Sequence, residues 1–193
     1  MKEKKREEKP IMRPLMIPLS HTTILSLLLF ISPIAEASIL EETCKRVTAA
    51  RPNIGYEFCV TSLRTDPGSS SADLHGLAVI ATRLSLADAT KMESRIDQLM
   101  VVKSKPFLKD CLSVCSEVYS EAIDHLNDAI RNLEARLYRE TVTFLSAALD
   151  APDNCEDAFG DDAGSGLSSP LAKEDEDYGR LADIALTITA SLG

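Results

Sequence analysis

The hydrophobic and polar positions of this chain follow helical spacing almost throughout. The clearest pattern begins after Pro106, where apolar or small residues are separated by steps of four and three: Leu108, Leu112, Cys115, Tyr119, Ala122, Leu126, Ala129 and Leu133. Residues at this spacing lie along one side of an α-helix and form a seam that packs against other helices. The segment is therefore predicted to be a long amphipathic helix with Pro106 in its first turn.

Three further segments are predicted to be long helices. One runs from residue 73 to about residue 103, with apolar residues at helical steps. Another starts at about Arg139, and Pro152 should kink or briefly interrupt it. The last runs from about Asp175 to Leu192, and its first turn is acidic, which the helix dipole favours. Residues 160–170, GDDAGSGLSSP, are a loop by composition.

Two shorter segments precede the long ones, and each carries a cysteine. EETCKRVTAA contains Cys44 and should end at Arg51-Pro52, whereas IGYEFCVTSL contains Cys59 and could be capped by Asn53. Joined by a tight turn, these segments are predicted to form a helical hairpin. Strand signals are nearly absent, so the fold class is all-α: an antiparallel four-helix bundle with an N-terminal helical hairpin.

Residues 1–37 have the three parts of a secretory signal peptide. Six basic residues lie within residues 1–13, the apolar run ILSLLLFI follows at 24–31, and the small residues of AEA end at Ala37. Such a run is too short to span a bilayer as a permanent helix. We expect a secreted mature chain, residues 38–193, without a membrane segment; an uncut signal anchor is the alternative.

Charge excludes several classes of partner. The first 37 residues hold 6 of the 21 basic and 4 of the 30 acidic residues, so the mature chain has 15 basic and 26 acidic residues and a net charge of −11. Nucleic acids and anionic membranes bind basic faces. Neither is therefore expected as a partner.

No pattern of a catalytic or cofactor-binding centre is found. His75 and His125 each stand alone in a helical pattern, and GDDAGSG has no preceding strand and carries acids where phosphates would bind. The acidic stretch DEDYG, residues 175–179, is interpreted as a helix start rather than a calcium loop. We expect no enzymatic activity, no cofactor and no metal site.

All five cysteines lie in the predicted mature chain. In an oxidising compartment an even subset should pair, which leaves one over. Cys111 and Cys115 stand at positions i and i+4 of one helix, where nearly parallel Cβ directions make a mutual disulfide unfavourable. One of them should therefore bond elsewhere, and the seam position favours Cys115.

Four stretches in order carry a family resemblance from about Ile39 to Leu192. They are TCKRVTAARPNIGYEFCVTSL, CSEVYSEAIDHL, LSAALDAPDNCEDAF and SPLAKEDEDYGRLADIALTI. On these stretches the chain resembles the plant invertase and pectin methylesterase inhibitors. The sequence of the stretch DLHGLAVIA is most similar to that of the pollen-type invertase inhibitors, some of which are allergens.

The resemblance implies that residues 38–193 form one inhibitor domain with two disulfides. The family pattern maps onto Cys44–Cys59 and Cys115–Cys155, and each bond would contribute roughly 3–4 kcal/mol on a chain-entropy estimate. Cys111 has no counterpart in this pattern and should remain a thiol.

The resemblance also implies a function in the plant cell wall. Such proteins are secreted to the apoplast and block the active-site cleft of an invertase or a pectin methylesterase; we expect a monomer. The Pro-Lys-Phe loop of some invertase inhibitors is missing here, since the region reads Leu137-Tyr138-Arg139. The target therefore stays open, and partner-binding residues are unknown. The alternative is a bundle that carries a small ligand or lipid and does not inhibit.

Overall fold

The computed structural model describes residues 38–102, 105–160 and 168–193, and these residues form helices and no strand. The α-helices are α1 (Ile39–Ala50), α2 (Tyr56–Leu63), α3 (Leu74–Val101), α4 (Pro106–Glu134), α5 (Tyr138–Leu149), α6 (Ala151–Gly160) and α7 (Ala172–Ala190), with short 3-10 turns at Pro52–Ile54 and Pro67–Ser70. The all-α prediction is confirmed. The predicted signal peptide, residues 1–37, and residues 161–167 of the predicted loop lie outside the described residues.

The bundle has four arms: α3, α4, α5 with α6, and α7. α3 packs against α4 and α7, α4 packs against α5 and α6, and α5 and α6 both contact α7. The predicted four-helix bundle is thus confirmed. Within the described ranges, no helix is both long and apolar enough to cross a membrane.

The seam of α4 faces the bundle interior as its spacing predicts. Seven of its eight residues are buried, and Leu108 is half-buried at the end of the helix. The largest side chains that are almost completely enclosed are aromatic or aliphatic and come from every arm: Tyr119, Tyr178, Ile54, Leu63, Leu77, Ile96, Leu112, Leu126, Leu133, Leu145, Leu171 and Ile184. Burying one such aliphatic side chain contributes about 1.5–3 kcal/mol, so the interior is a packed core.

The hairpin differs from the prediction at its turn. α1 begins with a capping box between Ser38 and Glu41, but Asn53 does not cap α2. Pro52 instead starts a 3-10 turn that includes Asn53, and the N-cap of α2 is Gly55 at φ +76°. This left-handed conformation reverses the chain, and glycine adopts it without a steric cost.

The hairpin is held to the bundle by polar contacts with α7. Arg51 Nε lies 3.3 Å from Asp183 Oδ1, and the Arg180 guanidinium lies 4.0 Å from the centre of the Phe58 ring. Asp183 is largely buried while Arg51 is half exposed. The ion pair therefore crosses the rim of the hairpin–bundle contact.

Two helix boundaries in the C-terminal half can be compared with the predicted ones. The predicted interruption near Pro152 is confirmed, because α5 ends at Leu149 and α6 starts at Ala151. α7 begins at Ala172, three residues before the predicted start at Asp175. The reason is the fully buried Leu171, which anchors the start of the helix and turns Asp175 into the interior.

Candidate functional site: a buried carboxyl cluster and its cleft

Four of the five cysteines form two disulfide bonds. Cys44 bonds Cys59 at 2.00 Å and joins α1 to α2, and Cys115 bonds Cys155 at 2.10 Å and joins α4 to α6. These are the pairs that the family resemblance implies. All four sulfurs belong to fully buried residues, so the two bonds are parts of the interior.

Cys111 lies outside both disulfides. It is buried with 3% of its surface exposed, and its thiol donates a hydrogen bond to the carbonyl oxygen of Ala158 at 3.1 Å. The thiol thus faces α6 one turn along α4 from the Cys115–Cys155 bond. Cys111 is thus enclosed between α4 and α6.

A tyrosine and a carboxyl group meet beside the Cys115–Cys155 disulfide. The Tyr119 hydroxyl donates to Asp175 Oδ1 at 2.5 Å, and Asp175 Oδ2 lies 3.6 Å from Cys155 Sγ. Tyr178 packs edge-on against the Tyr119 ring at 5.2 Å between centroids, and its hydroxyl donates to the Ala148 carbonyl oxygen at 2.8 Å. The cluster therefore links α4, α5, α6 and α7.

The environment of this cluster favours protonated groups. Burial, followed by the adjacent Glu156 carboxyl, raises the pKa of Asp175 to about 8, and the hydrogen bond from the Tyr119 hydroxyl opposes this rise. Burial and the nearby Asp175 raise the pKa of Tyr119, and burial raises the pKa of Tyr178. A charged group in this part of the core is costly because water cannot solvate it.

Next to the cluster, a polar cleft of about 440 Å³ opens between the hairpin turn, α6 and α7. Its lining includes five carboxyl groups: Asp153, Glu156, Asp175, Glu176 and Asp183. Glu156 Oε1 and Arg180 Nε are both buried and have no hydrogen-bond partner among the described residues. The cleft thus holds one acceptor and one donor whose bonding is incomplete.

Three potential metal-ligating side chains of the cluster lie close together. Cys155 Sγ and one carboxyl oxygen each from Glu156 and Asp175 lie within 4.8 Å of one another. Cys155 is in a disulfide, so its sulfur cannot act as the thiolate ligand that metals require. The remaining two carboxyl groups do not amount to a metal site.

The two histidines lie apart from this cluster. His75 Nδ1 is 3.3 Å from the Tyr138 hydroxyl, which accepts a hydrogen bond from Arg136 at 3.1 Å. The His125 ring is 6.0 Å from the Phe144 ring, centre to centre. Both histidines therefore make structural contacts with aromatic side chains, as their isolated positions in the sequence indicate.

The roles of Asp175 and Glu156 were not predicted from the sequence. The sequence places Asp175 at the acidic start of the last helix with no indication of burial, yet it is 2% exposed. A signal was present, because Asp175 follows Leu171 by four residues and precedes Tyr178 by three, and so continues the buried seam of α7. No comparable signal marks Glu156.

Together, the bundle, the hairpin and the two buried disulfides define a small disulfide-linked helical protein. The model of the family "Plant invertase/pectin methylesterase inhibitor" matches residues 38–188. The chain therefore belongs to this family of enzyme inhibitors, as its four characteristic stretches indicate.

Proteins named as invertase inhibitors and proteins named as pectinesterase inhibitors are both similar to this chain. A Platanus acerifolia protein named "Putative invertase inhibitor" is 38% identical over 168 residues, which cover 87% of this chain and 93% of that protein. The "Pectinesterase inhibitor" of Actinidia deliciosa is 31% identical over 174 residues, covering 86% and 90% respectively. Identity alone thus does not separate the two possible targets.

A solved structure supports the fold. The chain matches a mutant form of a pectin methylesterase inhibitor from Arabidopsis with a TM-score of 0.64 and 23% identity, covering 76% of this chain and 97% of that one. At this identity the likeness concerns the fold.

Proposed function

We propose that this protein inhibits a plant carbohydrate-active enzyme, either a pectin methylesterase or an invertase, by binding across its active-site cleft. The observation that carries the proposal is the family match, which spans nearly the whole helical unit from residue 38 to residue 188. The excess of acidic residues and the two disulfides that restrain the bundle support a role in binding a protein partner. A rigid partner loses little conformational freedom on association, which favours affinity.

The alternative, a carrier of a small ligand or lipid, has less support. A lipid carrier needs an apolar cavity, but the cleft beside α6 and α7 is lined by five carboxyl groups. The positions between the helices are filled by side chains such as Leu112, Leu126 and Leu145, each fully buried. The bundle interior is therefore packed with its own residues.

Inhibition can be tested directly with both enzyme classes. Purified residues 38–193 would be titrated into pectin methylesterase and cell-wall invertase assays at mildly acidic pH, and complexes would be isolated by size-exclusion chromatography. We expect stoichiometric inhibition and co-elution with one class. The control is the same chain reduced and alkylated, which loses the two covalent links and should inhibit less. Absence of both inhibition and complex with either class would contradict the proposal.

We also propose that the chain is secreted to the cell wall as a monomer after cleavage of residues 1–37. The support is the basic, apolar and small-residue order of that segment. Terminal sequencing of protein from plant apoplastic fluid should begin at Ser38, and its native mass should be that of one chain. Retention of residues 1–37, or a dimer that reductant dissociates, would contradict these two proposals respectively.

A further inference from the structure

Glu156 and Asp175 place two carboxyl groups side by side where the interior meets the cleft, since Asp175 is buried and Glu156 is half-buried. One oxygen of each lies within 4.8 Å of the other, Asp175 is 2% exposed, and Glu156 Oε1 is buried. They come from different helices, α6 and α7, next to the disulfide that ties α6 to α4. Two ionised carboxylates this close repel each other, and Asp175 is too buried for water to screen its charge, so the site favours a proton on Asp175.

Cations near the pair are engaged with other acids. On α7, Glu174 faces Arg95 of α3 at 3.9 Å, and Glu176 faces Arg180 at 3.7 Å. Asp177 is paired with Lys173 and Arg180, whose hydrogen bonds outweigh its partial burial and hold its pKa below the usual value. Within the described ranges, neither Glu156 nor Asp175 is in an ion pair. In this arrangement no cation is paired with either carboxyl group, which leaves a proton to neutralise Asp175.

The remaining titratable groups around the pair are acids or phenols. Tyr119 of α4 donates its hydroxyl hydrogen to Asp175. Tyr178 and Glu174 lie on α7 itself, and Asp88 of α3 acts on both tyrosines. α5 contributes the Ala148 carbonyl oxygen, which Tyr178 already satisfies. All these ionisations would add negative charge, so none can stabilise a doubly ionised pair.

We propose that Glu156 and Asp175 hold one proton between them, and that this shared proton is a pH switch that fastens α6 to α7. When the proton leaves, repulsion moves the Glu156 carboxylate into the adjoining cleft. Arg180 lines the same cleft, and its Nε is buried and lacks a hydrogen-bond partner in the described part of the chain. This nitrogen can donate a hydrogen bond to the displaced Glu156 carboxylate. The fold thus has two arrangements of α6, one closed by the proton and one released.

The direction of the pH effect follows from proton binding. The pKa of Asp175 is about 8 in the folded protein and 3.8 ordinarily. Between these values the folded state binds more protons than the unfolded state, so the stability that the pair confers is complete at the acidic end and is lost as pH rises. The acidic pH of a plant cell wall would keep α6 closed, and alkalinisation would release it.

Two conservative variants test the switch without emptying the site. In Glu156→Gln the amide donates to an ionised Asp175, and in Asp175→Asn the amide donates to Glu156 while still accepting from Tyr119. Neither variant needs the shared proton. Asp157→Asn is the matched control, because Asp157 is the next residue on α6, is exposed, and undergoes the same loss of charge.

Three measurements on the mature, disulfide-bonded chain test the proposal. Infrared spectra near neutral pH should show a protonated carboxylic acid band in the wild type and in Asp157→Asn, and none in the other two variants. From about pH 5 to pH 9 the wild-type melting temperature should fall by about 5–10 °C more than those of Glu156→Gln and Asp175→Asn. Over the same range, hydrogen-exchange protection of α6 should fall by about tenfold or more in the wild type.

The infrared band decides whether the pair shares a proton. Its absence from the wild type at neutral pH would overturn the proposal. So would equal pH slopes of the melting temperature in all four proteins. If the band and the slope behaved as expected but protection fell uniformly over the bundle, release of α6 in particular would be refuted. These readouts involve no target enzyme and are independent of the proposed inhibition.

Discussion

Tyr119 and Asp175 are 56 residues apart in the chain, and their side chains are joined by a 2.5 Å hydrogen bond in the interior. Tyr119 lies on the seam of α4, one turn after Cys115, and Asp175 lies in the first turn of α7. The bond and the Cys115–Cys155 disulfide therefore fix α4, α6 and α7 at one level of the bundle. A covalent link and a buried polar contact reinforce each other at this point.

Removing the Tyr119 hydroxyl should measurably destabilise the fold. In Tyr119→Phe the buried Asp175 loses its donor, and leaving a buried polar group without its partner costs about 1–3 kcal/mol. Urea unfolding at about pH 6 would measure the loss. Tyr56→Phe is the control, because the hydroxyl of this half-buried tyrosine makes no hydrogen bond to a described residue. Equal stabilities of the two variants would show that the buried bond contributes nothing.

The two disulfides should contribute unequally to stability. Cys115 and Cys155 are 40 residues apart, whereas Cys44 and Cys59 are 15 apart. A longer closed loop restricts the unfolded chain more, so the first bond should contribute about 4 kcal/mol and the second about 3 kcal/mol. Chemical unfolding of Cys115→Ala/Cys155→Ala and Cys44→Ala/Cys59→Ala tests this order. A larger loss in the second double variant would mean that hairpin docking, rather than loop closure, sets the contribution.

Thiol labelling tests the disulfide pairs in the native protein. Without reductant, an alkylating reagent should modify Cys111 and no other cysteine. In the native state the reaction should be slow, because Cys111 is 3% exposed, and denaturant should accelerate it to the rate of a model thiol. Mass spectrometry of peptides would locate the adduct, and full reduction would show all five sites. An adduct on Cys44 or Cys115 before reduction would refute the pairs.

The helical bundle could be predicted from the sequence because its signal is local and repeated. The α4 seam, Pro106 at a helix start and the break at Pro152 each depend on the spacing or backbone chemistry of neighbouring residues. Asp175 was missed for the opposite reason: a carboxyl group in an acidic stretch indicates solvent, and its burial depends on Tyr119, 56 residues away. The prediction that Asn53 caps α2 was wrong, because Pro52 favours a 3-10 turn and Asn53 is part of that turn.

Gly55 should be sensitive to substitution through its backbone. Its φ is +76°, and a Cβ added there meets no atom within 4 Å, so any cost comes from conformation and not from a clash. Gly55→Ala should therefore lose about 1 kcal/mol in thermal unfolding. Gly160→Ala is the matched control, because its added Cβ is equally unhindered and its backbone is not in the left-handed region. Indistinguishable melting temperatures would show that the hairpin turn relaxes without cost.

The ion pair between Arg51 and Asp183 should control how firmly the hairpin stays on the bundle. In Arg51→Met the apolar stem is kept, but Asp183, whose side chain is 9% exposed, loses its cation. A buried carboxylate without its partner is penalised more than an exposed one, and we expect a loss of about 1–2 kcal/mol. The loss should appear as faster hydrogen exchange in α1 and α2 before it appears in α4. Arg46→Met is the control, because Arg46 is exposed on α1 and has no ion pair within the described part of the chain. Similar exchange in the two variants would assign hairpin docking to the apolar contacts and to the stacking of Arg180 on Phe58.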